Sequence, residues 1–439
     1  MNFSSGVIAY SFFFYLTSAK IAEQASSSVN ICVTPPDYPF APHLALTYLF
    51  PCKQANPQSK RRRMPTIPAR QKGFPTMAAK YRVGVIASGR IAREHGRGWA
   101  ECEHTEIAAI ADAHPEALAS YAADFDVKAT YTDYREMLDK ENLDIISVCS
   151  WDPQHAEMSI AACSRRPKAV LCEKPMAISI GEADAMIIAA QRNEVKLAIG
   201  HQRRFYSCWR EARRMIADGA IGKPQRLWSA IKAGMMNTGT HCIDFQLYAL
   251  GDPKVNWVMG SVERHTDHFV FGHRVEDRCA GIIGYEGGIE GVIENEMNDT
   301  YEVGAHIYGE DGMIVVNDNS LRYMNASSNG WKVFEPDEEA AGGYGNAFVD
   351  QAYGICRWIE GDFEDYYGKA EHGKAATEIM MAVYESARMH ERVSLPLQTR
   401  ANPLDVAVEE GRIPVTRPGF WDERSFLVRG ESMSWIKDK

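Results

Sequence analysis

Short apolar runs alternate with helix-like segments along the chain from residue 81 to residue 200. Five of these runs, each four to seven residues long, lie between segments whose apolar residues recur at three- and four-residue spacing. The runs predict strands at 81–87, 106–111, 144–149, 169–172 and 196–199. Because strands that alternate with helices form βαβ units, residues 81–200 are predicted to form a doubly wound parallel α/β domain.

The pattern changes after about residue 200, where strand-like runs become more frequent than helices. A helix is predicted at 208–218, and two more are predicted at 347–359 and 374–390. Predicted strands lie at 225–231, 255–262, 280–285, 288–294, 305–308, 313–316 and 393–397. We therefore expect a second, α+β domain over 201–400 with a large, mainly antiparallel sheet, followed by a polar tail at 401–439.

The first 80 residues differ in kind from the rest. Residues 6–19 are uncharged and aromatic-rich, but they are too few to span a membrane comfortably, and no positive charge precedes them as in a secretory signal. Nine of the twenty prolines fall between residues 35 and 75, together with the basic run 60–63. This composition indicates a disordered, non-core extension over 1–80, with a secretory role for residues 1–30 left open.

Charge and cysteine usage narrow the classes of partner. The net charge of −10 provides no excess of Lys and Arg, so neither nucleic acid nor an anionic membrane is expected as a partner. The ten cysteines form no C-x-x-C pair and are scattered through apolar runs. They indicate buried, reduced thiols in a cytoplasmic protein, with neither a disulfide framework nor a metal site.

A candidate phosphate-binding turn lies between the first strand and the first helix. Residues 83–92 read V-G-V-I-A-S-G-R-I-A, which matches G-x-G-x-x-G/A with Ala87 in place of the first glycine. Small residues here let the backbone approach a pyrophosphate that faces the helix N-terminus. The candidate cofactor-binding residues are Ala87, Ser88, Gly89, Arg90 and Ile91. The alternative is a tight strand–helix turn without a ligand.

Asp112 ends the second predicted strand, 23 residues after Gly89. A carboxylate at this place can accept hydrogen bonds from the adenosine ribose of a dinucleotide, and it repels a 2′-phosphate. The alternative role is that of a cap for the next helix, and the two roles are compatible. The pattern therefore predicts a Rossmann domain that prefers NAD to NADP.

Further motifs resemble those of a known family. Glu173-Lys174-Pro175 follows the fourth predicted strand of the Rossmann domain, and residues 237–244 read N-T-G-T-H-C-I-D. With G-H-Q-R-R-F at 200–205 and G-A-I-G-K-P at 219–224, these segments resemble the Gfo/Idh/MocA (glucose–fructose oxidoreductase/inositol dehydrogenase) family over about 81–397. The resemblance implies an NAD-dependent oxidoreductase that moves hydride to or from a secondary alcohol or ketone of a sugar, cyclitol or similar polyhydroxy compound.

The resemblance also implies roles for individual residues. Lys174, preceding a cis-Pro175, would stabilise developing oxyanion charge, and His241 would be the acid/base. The non-functional alternatives are that Lys174 is a solvent-exposed lysine in a turn and that His241 is a histidine of the core. Further candidates for substrate binding or catalysis are Asn237, Arg204 and Lys232, and further candidates for cofactor binding are Ser150, Trp151, His155, Glu173 and Lys174 itself. A homodimer or homotetramer is expected by resemblance.

Three departures from the family pattern keep rival functions open. Asn237 stands where the family usually has aspartate, residues 233–236 replace a glycine-rich loop, and residues 150–155 read S-W-D-P-Q-H where Thr-Pro-Asn is common. An asparagine can form hydrogen bonds but cannot take a proton. One rival is an NAD-using glycosidase of the same family, and another is a catalytically silent dinucleotide-binding sensor or regulator.

Overall fold

The computed structural model of the protein describes residues 80–297, 303–335, 344–362, 364–415 and 420–422. The predicted extension, apart from Lys80, lies outside the described residues. The same holds for Cys32, Cys52 and most of the predicted C-terminal tail. The prediction of disorder for the extension therefore stays a prediction.

Six parallel strands form the first sheet, in the order β3-β2-β1-β4-β5-β6. They are β1 Tyr81–Ile86, β2 Thr105–Ala111, β3 Ala129–Tyr131, β4 Ile145–Val148, β5 Ala169–Cys172 and β6 Lys196–Ile199. The helices between them are α1 Arg90–Glu101, α2 Pro115–Asp124, α3 Tyr134–Lys140, α4 His155–Cys163 and α5 Ile180–Asn193. This strand order is that of a doubly wound Rossmann sheet, which confirms the predicted fold class.

The second part of the chain forms a nine-stranded sheet with helices on one face. Its strand order is β16-β15-β14-β13-β7-β12-β11-β8-β17, and only the β7–β12 pair is parallel among the pairings described. The elements are α6 Ser207–Ala217, β7 Pro224–Ile231, α7 Thr240–Ala249, β8 Val255–Glu263, β9 Asp267–Val270, β10 His273–Val275, β11 Arg278–Tyr285, β12 Glu290–Asn295, β13 Gly304–Gly309, β14 Gly312–Asn317, β15 Leu321–Asn325, β16 Lys332–Phe334, α8 Tyr344–Glu360, α9 Ala370–Met389, β17 Val393–Ser394, α10 Pro403–Glu409 and β18 Phe420–Asp422. The predicted α+β architecture with a large, mainly antiparallel sheet is confirmed.

Helices α8 and α9 tie the two sheets together. A Cβ on Gly98 of α1 would lie 2.6 Å from the carbonyl oxygen of Phe348, so α1 and α8 pack at backbone distance. Gly260 of β8 allows the same approach to α9, because a Cβ there would lie 2.7 Å from the carbonyl oxygen of Val383. The Rossmann sheet and the second sheet therefore share one contiguous core, and their strand ends are held in fixed relation.

The prediction of a polar tail over 401–439 is wrong for the part that the structure describes. Helix α10 begins after Asn402, whose side chain accepts a hydrogen bond from the backbone N–H of Leu404. Leu404 and Ala407 are fully buried. Strand β18 pairs in parallel with β9, in a small sheet of order β10-β9-β18. Pro403 occupies the first turn of α10, where proline is tolerated, so this proline did not mark a loop.

The cysteines in the described part of the chain are free and buried, as predicted. They are Cys102, Cys149, Cys163, Cys172, Cys208, Cys242, Cys279 and Cys356. Within the same part of the chain, no group of three or more His, Cys, Asp or Glu side chains has an arrangement suited to a metal ion. No described helix is both long enough and apolar enough to cross a membrane.

Arg204 lies inside the protein rather than in a position to bind substrate. Its side chain is fully buried, and its Nε donates to the two carboxylate oxygens of Asp244 at 2.9 and 3.0 Å. Its Nη2 donates to Asp252 at 2.8 Å, and its Nη1 donates to the carbonyl oxygen of Tyr367 at 3.1 Å. Burial alone would raise the pKa of Asp252, but Arg204, His372 and Arg213 hold it far below its ordinary value. The geometry corrects the proposed substrate role of Arg204 to a structural one.

Replacing Arg204 tests this assignment. Arg204→Met should lower the free energy of unfolding by about 3–5 kcal/mol, because it leaves the buried carboxylate of Asp244 without its guanidinium partner, whereas Asp252 keeps Arg213 and His372. Arg226→Met is the matched control, since Arg226 and Glu290 form an exposed ion pair that should contribute about 0–1 kcal/mol. Urea denaturation measures both values. A loss for Arg204→Met no larger than that of the control would contradict the structural role.

Candidate active site

The strand–helix turn after β1 is open on the side where a pyrophosphate would bind. Gly89 precedes α1, and a Cβ built on it would meet nothing within 4 Å. The N-terminal N–H groups of α1 are therefore accessible to an anion. Ala87 has a φ of 74°, in the left-handed region, where an L-residue costs about 1–2 kcal/mol. The turn thus has the backbone shape of the glycine motif despite the alanine, and it fits the phosphates of NAD.

Asp112 holds this turn and begins the next helix. Its Oδ2 accepts hydrogen bonds from the backbone N–H of Ser88 at 2.7 Å and from the Ser88 hydroxyl at 2.6 Å. Its Oδ1 accepts from the backbone N–H of His114 at 2.8 Å. Because each carboxylate oxygen can accept two hydrogen bonds, Oδ1 retains capacity for one ribose hydroxyl. The N–H of Ser88 is directed to Asp112, so the backbone N–H groups of Gly89, Arg90 and Ile91 remain the candidates for contact with phosphates.

The candidate cofactor-binding residues that follow β4 and those that follow β5 lie close together, because the two strands are neighbours in the sheet. His155 is buried, with its Nδ1 2.8 Å from the carbonyl oxygen of Pro175 and its Nε2 3.0 Å from that of Ser150. Desolvation by burial lowers the pKa of His155. The Lys174–Pro175 peptide bond is cis, as expected. The buried ring of His155 therefore connects the loop after β4 to the segment that contains Lys174. Trp151, in the same loop, is half-buried.

Glu173 faces the interior and supports the backbone of Lys174. Its Oε1 lies 2.9 Å from Nε2 of His95, and its Oε2 accepts from the backbone N–H of Lys174 at 3.0 Å. The other ring nitrogen of His95 lies 2.8 Å from the hydroxyl of Ser147. Burial opposes both charges, yet Cys149 and Glu173 raise the pKa of His95 to about 10, and His95 lowers the pKa of Glu173. His95 was missed from the sequence, although it lies on the buried face of α1.

Lys174 reaches across to the second domain. Its Nζ donates hydrogen bonds to the carbonyl oxygen of Asn237 at 3.2 Å and to the side-chain Oδ1 of Asn237 at 3.3 Å. Asn237 lies in a π-helical turn, Met235–Gly239, that continues directly into α7. Lys232, at the end of β7, is half-buried and leads into this turn. Two residues that are 63 positions apart in sequence are thus joined at one cleft.

Glu276 fixes the turn that carries Asn237. Its Oε1 accepts from the backbone N–H of Met235 at 2.7 Å and from Nδ2 of Asn295 at 2.9 Å, and its Oε2 accepts from the hydroxyl of Tyr384 at 2.5 Å. Asn295 in turn accepts from the backbone N–H of Gly234 at 3.2 Å. This buried carboxylate therefore connects the turn to β12 and α9. The sequence around Glu276 is polar and resembles an exposed loop, so nothing in it indicated this role.

His241 lies in the first turn of α7 with only 5% of its surface exposed. Its Nδ1 has no hydrogen-bond partner among the described residues. Desolvation by burial lowers its pKa well below the ordinary value, and the positive charges of Arg203 and Lys174, with His201, lower it further. An unperturbed histidine titrates near neutrality. The structure instead gives an imidazole that is neutral well into the acid range and can accept a proton.

Asp244, three residues after His241, does not orient it. The Oδ1 of Asp244 lies 3.3 Å from Nδ1 of His201, and both of its oxygens bind Arg204. The other ring nitrogen of His201 lies 3.0 Å from the hydroxyl of Thr240. The His201 and His241 rings are 6.1 Å apart between centroids, in an edge-to-face arrangement. Asp244 therefore supports His241 only through its neighbours.

Comparison with known proteins matches parts of both domains to one family. Residues 81–201 match the model described as "Oxidoreductase family, NAD-binding Rossmann fold", and residues 229–315 match the GFO/IDH/MocA C-terminal domain. The chain belongs to the Gfo/Idh/MocA oxidoreductase family. This confirms the resemblance inferred from the motifs and NAD as the cofactor of the Rossmann domain.

Individual relatives within the family are distant. Myo-inositol 2-dehydrogenase of Thermotoga maritima is 26% identical over 249 residues, covering 53% of this chain and 74% of that protein. Inositol 2-dehydrogenase 3 of Saccharopolyspora erythraea is 25% identical over 338 residues, covering 73% and 96%. A levoglucosan dehydrogenase in complex with NADH and levoglucosan has the same fold, with a TM-score of 0.65 at 20% identity over 72% of this chain and 100% of that one. Such relatives favour neither the glycosidase nor the silent sensor.

Replacing Glu276 tests its positioning of the Asn237 turn. Glu276→Gln keeps the shape of the side chain but turns one acceptor into a donor that faces other donors. Misplacement of groups by about 1 Å can cost on the order of 100-fold in rate, so we expect a fall in kcat of about 10- to 100-fold. NAD affinity should not change, because the Rossmann domain is untouched.

The control is Glu290→Gln, whose carboxylate lies in the exposed pair with Arg226. It should behave as the wild type in both measurements. Steady-state kinetics with the best polyol substrate and a fluorescence titration of NAD give the two readouts. An unchanged kcat in folded Glu276→Gln protein would contradict the positioning role, and so would a parallel loss of NAD affinity.

Proposed function

We propose that this protein is an NAD(H)-dependent dehydrogenase or reductase that acts on a secondary alcohol or ketone of a sugar, cyclitol or similar polyhydroxy compound. The observation that supports this most directly is the contact between Lys174 of the Rossmann domain and Asn237 of the second domain. Asn237 lies four residues before His241. The contact therefore supports a shared cleft for the two candidate catalytic residues, at the end of the sheet where Rossmann domains bind nicotinamide.

Lys174 and His241 have complementary roles in this proposal. Bound NAD supplies the acceptor or donor of hydride at its nicotinamide ring. The neutral imidazole of His241 takes the proton of the substrate hydroxyl, and the ammonium of Lys174 stabilises the oxyanion that develops. Asn237 holds the ammonium by hydrogen bonds without neutralising it, so the positive charge stays available to the substrate.

The choice of NAD over NADP rests on Asp112. Its carboxylate lies at the carboxyl end of β2, where it would meet a 2′-phosphate with unfavourable charge. Exposed Arg90 lies nearby at the start of α1 and is the cation that could partly offset this repulsion. Titration of both cofactors at fixed salt measures the preference, and tighter binding of NADP would contradict it.

The outer face of the nine-stranded sheet supports a homo-oligomer. Met259 of β8 lies opposite Ile282 of β11, and 54% and 41% of their surfaces are exposed. Half-buried Val292 and Trp228 continue the same row across β12 and β7. Exposed apolar surface of this kind favours contact with a second copy. Sedimentation of Ile282→Lys beside the wild type tests the proposed dimer or tetramer, and a monomeric wild type would contradict it.

The cellular location is also a proposal. Free thiols buried in the core are typical of reducing compartments, which supports the cytoplasm. Residues 1–30, the segment considered for a secretory signal, lie outside the described residues. Microscopy of a C-terminally tagged chain measures the location, and secretion would contradict the proposal.

Two substitutions test the proposed catalytic pair. Lys174→Met and His241→Ala should each lower kcat by about 10²- to 10⁴-fold, since each removes one group that stabilises the transition state. His241→Ala should bind NAD as the wild type does, because His241 lies outside the Rossmann domain. Lys128→Met, on an exposed surface of the same domain as Lys174, is the control and should retain full activity.

Formation of NADH from a panel of sugars and cyclitols gives the rates. Full activity in the His241→Ala protein would remove the mechanism. Asn237→Asp is a further test, because an aspartate at this position would form an ion pair with Lys174 and partly neutralise its positive charge. We expect kcat to fall in this variant, and a rise would show that the family's usual carboxylate is the better partner here.

A further inference from the structure

The β9–β10 hairpin belongs to the second domain, but its tip lies on the Rossmann domain. The Phe271 and Trp151 rings are 6.4 Å apart between centroids, in an edge-to-face arrangement. A Cβ on Gly272 would lie 3.3 Å from the Trp151 ring and 3.6 Å from Pro153. Trp151 follows β4, next to the strand end that carries Lys174. The hairpin therefore closes one side of the cleft between the domains.

The tip of this hairpin is strained. Phe271 and Gly272 form a two-residue turn in which both residues have positive φ, of 50° and 82°. Such turns favour asparagine followed by glycine, because a bulky side chain is unfavourable in the left-handed region. Strain of this kind is found where the surrounding structure imposes it, often at ligand sites. Here it places the Phe271 ring against the Rossmann domain.

The hairpin is supported from its outer side by the C-terminal segment. Strand β18 pairs with β9 over its whole length, from Phe420 to Asp422. Arg274 of β10 forms ion pairs with Asp405 of α10 and with Asp267 of β9, the latter at 2.9 Å. These contacts give the hairpin a defined position, unlike that of an unsupported loop.

His273 begins β10, directly after the tip, and is 2% exposed. Its Nδ1 lies 3.2 Å from Oδ2 of Asp152 on the Rossmann domain, but neither ring nitrogen makes a hydrogen bond within the described part of the chain. Burial lowers the pKa of His273 to about 3, and the charges of Lys174, His155 and His268 contribute in the same direction. The ring is therefore neutral and offers one donor and one acceptor. Buried nitrogens without hydrogen bonds are costly, and a polar ligand relieves that cost.

We propose that the β9–β10 hairpin selects the substrate, and that His273 binds a hydroxyl group of the substrate other than the one that reacts. The carboxylate of Asp152 lies beside the ring, with its Oδ2 3.2 Å from Nδ1 of His273. The interaction gives the site a means to distinguish polyhydroxy compounds that differ in one hydroxyl. This inference rests on the proposed function, because it assigns a specificity residue to the same site.

The test removes the histidine and the substrate hydroxyl separately and together. The probe is whichever of myo-inositol, levoglucosan, D-glucose and D-xylose the wild type oxidises best, with the set of its monodeoxy analogues. For one analogue, the wild type should lose about 10- to 100-fold in kcat/KM, as expected when a buried hydrogen-bonding group loses its partner. His273→Ala should lose a similar factor with the parent compound and should treat the parent and that analogue alike, within about 3-fold.

Two further variants make the result specific. His265→Ala removes an exposed histidine from the segment before β9, and it should discriminate as the wild type does. His273→Asn retains one donor and one acceptor, so it should keep part of the discrimination. It also replaces His273→Ala in the same comparison if the alanine variant does not fold. NAD affinity should be unchanged in all of them.

The outcomes separate the inference from the function on which it rests. Oxidation of a polyol by the wild type, with equal losses in the His273 variants for every analogue, overturns the role of His273 and leaves the proposed function intact. The same conclusion follows if no analogue is discriminated by the wild type, or if the variants retain full discrimination. If the wild type forms no NADH from any compound of the panel, the proposed function is contradicted, and this inference with it.

Discussion

The hydrogen bonds from Lys174 to Asn237 are the contact on which the account of the site depends. They join the end of β5 in the Rossmann domain to the turn before α7 in the second domain. Each of the two segments is held by a buried carboxylate. Glu173 accepts a hydrogen bond from the backbone N–H of Lys174, and Glu276 accepts one from the backbone N–H of Met235, two residues before Asn237. Buried polar networks whose members are satisfied restrict motion and specify one arrangement. The carboxylates of Glu173 and Glu276 therefore help to define the cleft without contacting a substrate themselves.

The two domains contribute groups of different charge to the site. On the Rossmann side, Lys174 provides a cation. On the other side, His201, His241 and His273 all have lowered pKa values, because burial disfavours their charged forms and positive groups lie near. The site therefore combines the ammonium of Lys174 with neutral imidazoles that can donate and accept hydrogen bonds. That combination suits the removal of a proton from an alcohol next to a stabilised oxyanion.

The sequence predicted the parts of the fold that local patterns specify. Short continuous apolar runs located five of the six Rossmann strands, and motif spacing located Ala87, Asp112, Lys174 and His241 at strand and helix ends. Strand β3 and the β9–β10 hairpin were missed, because they have three or four residues and no continuous apolar run. The roles of His95, Glu276 and His273, and the structural role of Arg204, depend on partners far away in sequence. Tyr384 lies 108 positions from Glu276, for example, and no local pattern reveals such a pair.

The pH dependence of kcat/KM for polyol oxidation tests the central claim most directly, since it reports the protonation state of the free enzyme. The account predicts a rate that stays constant as the pH falls through the ordinary histidine pKa of about 6.5 and that declines only at more acidic pH. That acid limb should disappear in the His241→Ala protein. A limb centred near or above the ordinary histidine value, retained in His241→Ala, would contradict the claim that a buried, neutral His241 is the base opposite Lys174.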